Sequence, residues 1–282
     1  MSLTVKNASR RQMQIFIDWA REEGWNPGIN DLDVFYSTDP KGFFLCFNDD
    51  EPVGSISAVK YGKDFGFIGF YIVKPEFRNF GNIAYMLGRH ALEYLNGCNI
   101  GLDGVLEKVE NYKKLGFKYS HKNFRFEGFF DKKGEFTIDN NISSFDVKDF
   151  KNFLDYDRLC FPAKRTEFIK NWLYKGTNTQ YIYKRSPGTI QGIGMIRQCY
   201  NGNKIGPLFA DNFYIAEKLF LSLIIGRKGP VYLDVPETNE NALKLVEKYN
   251  MKQCFATARM YSDNIPRVNN KRIYGITTFE LG

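Results

Sequence analysis

The stretch from Ile68 to Tyr94 constrains the fold most, because an apolar, aromatic-rich run stops at a proline and resumes with helical periodicity. Phe, Tyr, Ile and Val dominate residues 65–73, which predicts a buried strand. Pro75 ends that strand, since proline donates no hydrogen bond to a sheet ladder. From Ile83 onward apolar residues recur every three or four positions, which predicts a helix with one buried face. The sequence therefore predicts a strand, a short turn and a helix.

The turn between the strand and the helix holds a candidate anion site. Residues 78–81 read Arg-Asn-Phe-Gly. The first N–H groups of a helix lack intrahelical partners and the helix dipole adds positive potential, so a phosphate fits there. Arg78 would add a cation, and Gly81 would let the backbone approach closely. An ordinary strand-to-helix turn explains the same residues, so spacing alone leaves both interpretations open.

Two motifs resemble those of the GNAT superfamily of N-acyltransferases. Val-x-Pro-x-x-Arg-x-x-Gly at 73–81 resembles its acyl-CoA-binding motif, and Tyr-x-x-x-Gly-Phe at 112–117 resembles its second signature. The resemblance implies an α/β (α+β) fold with a mixed sheet. It also implies acetyl-CoA or coenzyme A as the acyl donor and an amine as the acceptor, either a small molecule or a protein.

The resemblance further implies where the acyl donor binds. The thioester is expected in a gap between two splayed central strands, with its carbonyl facing backbone N–H groups near Ile72 and Val73. Donors of this kind contribute ~3 kcal/mol each at comparable sites. The pyrophosphate is expected at the turn and the helix start: Arg78, Asn79, Gly81, Asn82 and Ile83. Position 83 is Gly or Ala in the family pattern, so Ile83 either narrows the cradle or points into the core.

The implied chemistry is direct acyl transfer in a ternary complex, which needs an acid for the leaving thiolate and a base for the acceptor ammonium. Tyr112 occupies the family position of the acid, and packing against Phe117 is its structural alternative. The central strand carries no glutamate, so Asp103 on the neighbouring strand is the candidate base. Capping of the following segment is the structural alternative for Asp103.

A Gly-Trp-Asn-Pro-Gly loop at 24–28 lies on the expected acceptor side. Trp25 is a candidate wall of the acceptor site, and Asn26 is a candidate hydrogen-bonding residue for a polar acceptor. Burial of Trp25 as a loop anchor is the alternative.

The second half repeats the first at offsets between 131 and 137 residues. The equivalences are Ile68-Gly69 with Ile205-Gly206, Leu102-Asp103 with Leu233-Asp234, Gly116-Phe117 with Asn250-Met251, and Arg125 with Arg259. We therefore predict two tandem GNAT-like domains, 1–135 with the acyl-CoA motif and 136–282 degenerate, divided in the polar stretch 131–144. The second copy has no arginine or glycine after its strand and carries Val246 in place of Tyr112.

Composition limits the other classes of function. Five scattered cysteines and two histidines in no ligand spacing predict free buried thiols and neither a metal site nor a His-based triad. The net charge of +7 comes with no nucleic-acid-binding motif, so we expect no nucleic acid partner. We find no apolar run of about 20 residues and no signal-peptide core, and so expect a cytoplasmic protein without a membrane partner.

Two functions from different classes remain. One is an acyl-CoA-dependent N-acyltransferase whose second copy shapes the acceptor site. The other is a catalytically degenerate CoA-binding or protein-interaction module on the same fold. Arg78, Gly81 and Tyr112 favour the enzyme, whereas Ile83 and the missing strand glutamate favour the module.

Overall fold

A computed structural model describes residues 2–78, 82–130, 138–176, 178–186 and 189–282. The elements of the first half are β1 (Leu3–Asn7), α1 (Met13–Glu22), α2 (Asp31–Thr38), β2 (Phe43–Asn48), β3 (Glu51–Tyr61), β4 (Phe65–Val73), α3 (Ile83–Tyr94), β5 (Asn99–Val105), α4 (Val109–Lys114) and β6 (Lys118–Phe129). Those of the second half are β7 (Ile142–Ser144), α5 (Phe150–Cys160), α6 (Thr166–Tyr174), β8 (Thr179–Ser186), β9 (Thr189–Gln198), β10 (Asn203–Ala210), α7 (Phe213–Ile224), β11 (Pro230–Pro236), α8 (Glu240–Lys248), β12 (Lys252–Tyr261) and β13 (Ile273–Gly275). The predicted strand and helix correspond to β4 and α3, and residues 79–81 of the predicted turn lie outside the described ranges.

The described strands form one mixed sheet in the order β1-β2-β3-β4-β5-β12-β6-β11-β10-β9-β8-β7, with β13 paired to β10. The β4–β5 and β10–β11 pairs are parallel. The predicted α/β fold with a mixed sheet is therefore confirmed. The strand order is pseudo-symmetric about the centre of the sheet. Counted inwards from the two ends, each strand of one repeat occupies the same place as the equivalent strand of the other repeat.

The two halves exchange strands at the centre of this sheet. Strand β12 lies between β5 and β6, and β6 in turn lies between β12 and β11. Each half of the sheet is thus completed by a strand from the other half. The division at 135 and 136 stays a prediction, because residues 131–137 lie outside the described ranges.

Two buried ion pairs join the exchanged strands. Arg259 of β12 contacts Asp103 of β5 (Nη2 to Oδ2, 2.6 Å), and Arg125 of β6 contacts Asp234 of β11 (Nε to Oδ1, 2.7 Å). The two pairs are equivalent under the sequence repeat. Each pair links one half of the chain to the other. The contacts between the halves are therefore repeated in the same way as the sequence.

The hydrophobic core combines local and shared clusters. Helix α3 packs on the first half of the sheet, and α7 and α8 pack on the second. Helices α1, α2, α5 and α6 share a third cluster, in which Phe35 stacks on Trp172 with ring centroids 6.1 Å apart. The interface between the halves is therefore part of the core.

Residues 276–282 run between the two halves and are buried along their whole length. Tyr61 Oη donates to the carbonyl of Leu281 (2.8 Å), and Arg165 Nη1 donates to that of Gly282 (2.7 Å). A Cβ at Gly69 would lie 2.0 Å from the carbonyl oxygen of Glu280, so only glycine lets this segment cross β4.

All five cysteines are free. Cys46, Cys160 and Cys199 are buried, but Cys254 is exposed and Cys98 only partly buried, so the prediction of buried thiols is wrong for these two. None of the helices in the described part of the chain has the length and apolarity that crossing a bilayer requires.

Candidate active site

Strands β4 and β5 diverge and open a cleft. They pair from Phe65 with Asn99 as far as Ile68 with Leu102, although both strands continue further. The cleft beyond this point has a volume of about 800 Å³, within the usual range of ligand sites. It therefore lies where the family resemblance implied a gap between two splayed strands.

A backbone irregularity marks the point of divergence. Phe70 has a φ of +45°, and the register of β4 against β3 shifts opposite Ser55 and Ser57. Ser55 Oγ donates to the carbonyl of Phe70 (2.8 Å). A positive φ at a bulky residue costs of order 1 kcal/mol, and such residues concentrate at functional sites. The bulge re-aims the backbone of β4 from Gly69 to Val73 along the cleft.

The cleft brings together part of the predicted site. Its lining includes Trp25, Ile72, Val73, Arg78, Asp103 and Tyr112. Asn26, Asn82 and Ile83 do not line it. The predicted donor-binding residues Asn79 and Gly81 lie outside the described residues.

Tyr112 sits on the β5 side of the cleft. Its ring packs on Gly104, where a Cβ would lie 2.5 Å from Cε2, and it meets Phe117 edge to face with centroids 6.2 Å apart. Burial raises the pKa of Tyr112 to about 12, so the phenol is protonated at neutral pH. Tyr112 thus packs against Phe117 and also presents a protonated hydroxyl-bearing side chain to the cleft.

Asp103 has both carboxylate oxygens engaged. Arg259 donates from Nε to Oδ1 (2.9 Å) and from Nη2 to Oδ2 (2.6 Å), and Asn123 Nδ2 adds a bond to Oδ1 (2.8 Å). A bidentate arginine–carboxylate pair is among the strongest and most directional hydrogen-bonded contacts in proteins. This geometry favours a structural role for Asp103, in the ion pair rather than in a cap.

Arg78 is held at the mouth of the cleft. Its Nε donates to the carbonyl of Val73 (3.0 Å), and its guanidinium pairs with Glu23, which also lines the cleft. Both side chains are partly exposed, and such pairs contribute only about 0–1 kcal/mol. An anionic ligand can therefore replace Glu23 at small cost.

Ile83 begins α3 and points into the core. Ile83 is 1% exposed. Its side chain and that of Leu87 pack against Gly54 and fill the space that a Cβ there would need. The neighbouring residues Ala84 and Tyr85 line the cleft instead. Of the two interpretations for Ile83, its burial agrees with the one in which the side chain points into the core.

The loop at Trp25 and Asn26 is anchored both to β6 of the first half and to the second half. The carbonyl of Trp25 accepts from Arg125 Nη1 (2.7 Å) and Lys204 Nζ (3.3 Å). The amide of Asn26 exchanges two hydrogen bonds with the backbone of Asn201, at 2.8 and 2.9 Å. Trp25 faces the cleft, whereas the side chain of Asn26 is occupied in holding the loop.

The second copy was expected to shape the acceptor site, but no residue of that copy was predicted for this role. Phe255 and Thr257 of β12, and Phe279 and Glu280 of the segment 276–282, all line the cleft. Phe255 and Phe279 have ring centroids 6.1 Å apart. None of the four belongs to a motif. The exchange of β12 brings Phe255 and Thr257 here, and the path of residues 276–282 brings Phe279 and Glu280.

The equivalent gap in the second half is closed. Strands β10 and β11 pair only as far as Ile205 with Leu233, and β13 then pairs with β10 in place of β11. Val246, the residue of the second copy that is equivalent to Tyr112, is buried, with 2% of its surface exposed. The equivalence is supported by matching helix ends, with Phe117 N bonded to Tyr112 O (3.0 Å) and Met251 N to Val246 O (2.9 Å).

The fold and the cleft define a tandem acyltransferase architecture, and comparison with known families agrees. The model described as "Acetyltransferase (GNAT) family" matches residues 9–117, and "Acetyltransferase (GNAT) domain" matches residues 153–275. The chain therefore belongs to the GNAT acyltransferases, with one copy in each half. The predicted membership and the tandem arrangement are confirmed.

Individual proteins resemble this chain over most of its length. The holothin acyltransferase of Pseudoalteromonas sp. (strain SANK 73390) is 28% identical over 281 residues, covering 99% of this chain and 94% of the relative. The uncharacterized N-acetyltransferase YitH of Bacillus subtilis (strain 168) is 24% identical, with 76% of each chain covered. A Pyrococcus horikoshii protein assigned as an acetyltransferase has the same fold, with a TM-score of 0.84, 21% identity and coverage of 99% and 96%. A tandem GNAT protein from the clavulanic acid biosynthesis pathway superposes with a TM-score of 0.63 at 10% identity, with coverage of 94% and 100%.

Proposed function

We propose that this chain transfers an acyl group from acetyl-CoA to an amine by direct attack, and that the first copy carries the chemistry. The observation that carries the proposal is the divergence of β4 and β5. Beyond Ile68, β4 has no partner on its β5 side among the described residues, and such an edge binds an extended amide-containing chain through main-chain hydrogen bonds. The pantetheine arm of coenzyme A is a chain of that kind.

The residues present fit this donor, which supplies an acyl group already activated as a thioester. Backbone N–H groups near Ile72 and Val73 would polarise the thioester carbonyl. Arg78 and the start of α3, with the backbone of Asn82 and Ile83, would hold the phosphates. We also propose Asn79 and Gly81 for this role on the strength of the motif.

Tyr112 would donate a proton to the leaving sulfur. Its pKa of about 12 keeps the phenol protonated, but it exceeds the thiol pKa of ~8.5, so donation alone is uphill. The transfer becomes favourable when the phenolate is reprotonated in the same step by the nitrogen that forms the amide. Tyr112 would therefore act as a relay between nitrogen and sulfur.

The acceptor would enter beside Trp25. The second half contributes Phe255 and Phe279 to that part of the wall, which supports its proposed role in shaping the acceptor site. By its name, the Pseudoalteromonas relative acylates holothin, which supports acyl transfer for a chain that covers 94% of it. Asp103 stays a sequence-based prediction for the base, and Asn26 for acceptor binding, although their contacts favour structural roles.

Thiol release from acetyl-CoA in the presence of primary amines tests this function. We expect Tyr112→Phe to lower kcat by about 100-fold or more, because general acid catalysis contributes ~10²–10⁴-fold. Tyr119→Phe is the matched control, since Tyr119 bonds Glu237 outside the cleft. No thiol release with any amine, or equal activity of Tyr112→Phe and the wild type, would contradict the proposal and favour the interaction module.

A further inference from the structure

Three carboxylate side chains line the cleft in the described part of the chain, and one of them is open to solvent. The side chain of Asp103 is 0% exposed and is held by Arg259. Both carboxylate oxygens of Glu280 are buried. The side chain of Glu23 is 30% exposed, and its partner is Arg78. Glu23 is therefore the carboxylate of this cleft that a cation from solvent can reach.

The backbone around Glu23 is held by a hydrogen-bonded helix end. The N–H of Glu23 donates to the carbonyl of Trp19, and that of Trp25 donates to the carbonyl of Ala20, both at 2.9 Å. Gly24 lies between them with a φ of +75°, as is typical of a glycine that closes a helix. The carboxylate of Glu23 can thus change partner by rotation of its side chain, while Trp25 keeps its place in the cleft wall.

The guanidinium of Arg78 lies between Glu23 and the end of β4. Its Nη2 pairs with Glu23 Oε1, and its Nε donates to the carbonyl of Val73 (3.0 Å). The bond to Val73 does not depend on Glu23, so it can hold Arg78 in place when Glu23 leaves. Glu23 is therefore separated by one guanidinium group from the strand end where the thioester is proposed to bind.

A bound acyl donor would release Glu23 from Arg78. In the proposed function the phosphates of coenzyme A bind at Arg78 and at the start of α3, and arginine pairs with phosphate oxygens as readily as with a carboxylate. The exchange costs little, because ion pairs as exposed as Glu23 with Arg78 contribute little to stability. The donor complex therefore contains a Glu23 carboxylate without its ion-pair partner, beside the open cleft.

We propose that Glu23 then binds the ammonium group of the acceptor, an inference that rests on the proposed acyl transfer. Its carboxylate supplies the opposite charge and accepts charge-assisted hydrogen bonds. Glu23 follows the C-terminus of α1, where the helix dipole disfavours an unpaired negative charge and favours a cation. The nearby ring of Trp25 adds a surface that attracts cations. The acceptor is thus a primary amine that binds in its protonated form.

This change of partner couples the two ligands. Without the donor, an amine has to break the pair of Glu23 with Arg78 before it can use the carboxylate, whereas in the donor complex that pair is already broken. Each ligand therefore tightens the binding of the other by the same factor. The strength of the broken pair limits this factor to about fivefold for an exposed ion pair.

Calorimetry with benzylamine and free coenzyme A tests this inference, because these two ligands cannot react with each other. Benzylamine is protonated at neutral pH, and benzyl alcohol is its neutral analogue. In the wild type, we expect saturating coenzyme A to tighten benzylamine binding by about two- to fivefold and to leave benzyl alcohol binding unchanged. Glu23→Gln should weaken benzylamine binding to the coenzyme A complex by about tenfold. It should also tighten coenzyme A binding by about two- to fivefold and abolish the coupling.

Two further variants control for charge and for the ion pair. Glu22→Gln makes the same change of charge at the preceding residue, which is exposed and outside the cleft lining, and should bind both ligands as the wild type does. Arg78→Ala should weaken coenzyme A binding and yet tighten benzylamine binding in the absence of coenzyme A, because Glu23 then has no partner to leave.

The outcomes separate this inference from the proposed acyl transfer. Failure of benzylamine to bind the coenzyme A complex, or equal benzylamine affinity with and without coenzyme A, would overturn the inference. Equal benzylamine affinity of Glu23→Gln and the wild type would overturn it too, as would the same shifts in Glu22→Gln, which would show an effect of net charge alone. Thiol release that proceeds despite these results would leave acyl transfer standing. Absence of coenzyme A binding to the wild type would instead overturn the donor assignment, and this inference with it.

Discussion

Replacing Asp103 by asparagine separates the structural and catalytic roles of that carboxylate, because the repeat provides a matched control. Asp103→Asn leaves Arg259, which is 7% exposed, without its counter-charge. Asp234→Asn does the same to Arg125, which is 2% exposed, outside the cleft lining. Removing one partner of a buried ion pair costs about 3–5 kcal/mol. Both variants should lose stability by that amount.

The stability assay is urea or thermal unfolding of the two variants and the wild type. A loss of this size lowers the Tm of a 282-residue chain by roughly 5–8 °C. Thiol release is then compared at a temperature where both variants are folded, and we expect equal activities. A 100-fold lower activity of Asp103→Asn alone would refute the structural assignment and identify Asp103 as the base. A stability loss below about 1 kcal/mol would refute the estimate for the ion pair.

Two further predictions follow from the geometry. Gly104→Ala places a Cβ 2.5 Å from Tyr112 Cε2, so the ring must shift. We expect a stability loss of about 1–3 kcal/mol and reduced thiol release. An unchanged kcat would contradict the placement of Tyr112. Burial, together with Arg259, lowers the pKa of His121 to about 4, against about 6.5 when unfolded, so the unfolded state binds the extra proton. Stability should be intact above pH 6.5 and fall by about 3 kcal/mol as the pH drops to 4, and His121→Gln should remove that part of the acid sensitivity in urea unfolding.

Local patterns predicted the elements around the cleft well. The apolar run to Val73, the stop at Pro75 and the periodicity from Ile83 are properties of neighbouring residues, and they reappear as β4 and α3. The repeat also predicted that Val246 stands where Tyr112 does, which the matching helix ends support.

The interleaving of the halves could not be predicted in the same way. The offsets relate Arg125 to Arg259 and Asp103 to Asp234, but equivalence does not say whether a strand pairs within its own copy or with the other. The sheet pairs them crosswise, so Asp103 faces an arginine 156 residues later. Phe279 escaped notice for the same reason, since only the path of residues 276–282 between the halves brings it to the cleft.

Calorimetric titration of acetyl-CoA tests the central claim, that the first copy alone holds the acyl donor. We expect one site per chain with micromolar affinity in the wild type, and loss of binding in an Arg78→Ala, Gly81→Asp double variant. Asn212→Ala is the matched control in the second copy, because Asn212 caps α7 by accepting from Ile215 N; it should bind as the wild type does. No binding at millimolar acetyl-CoA, or two sites per chain, would contradict the account.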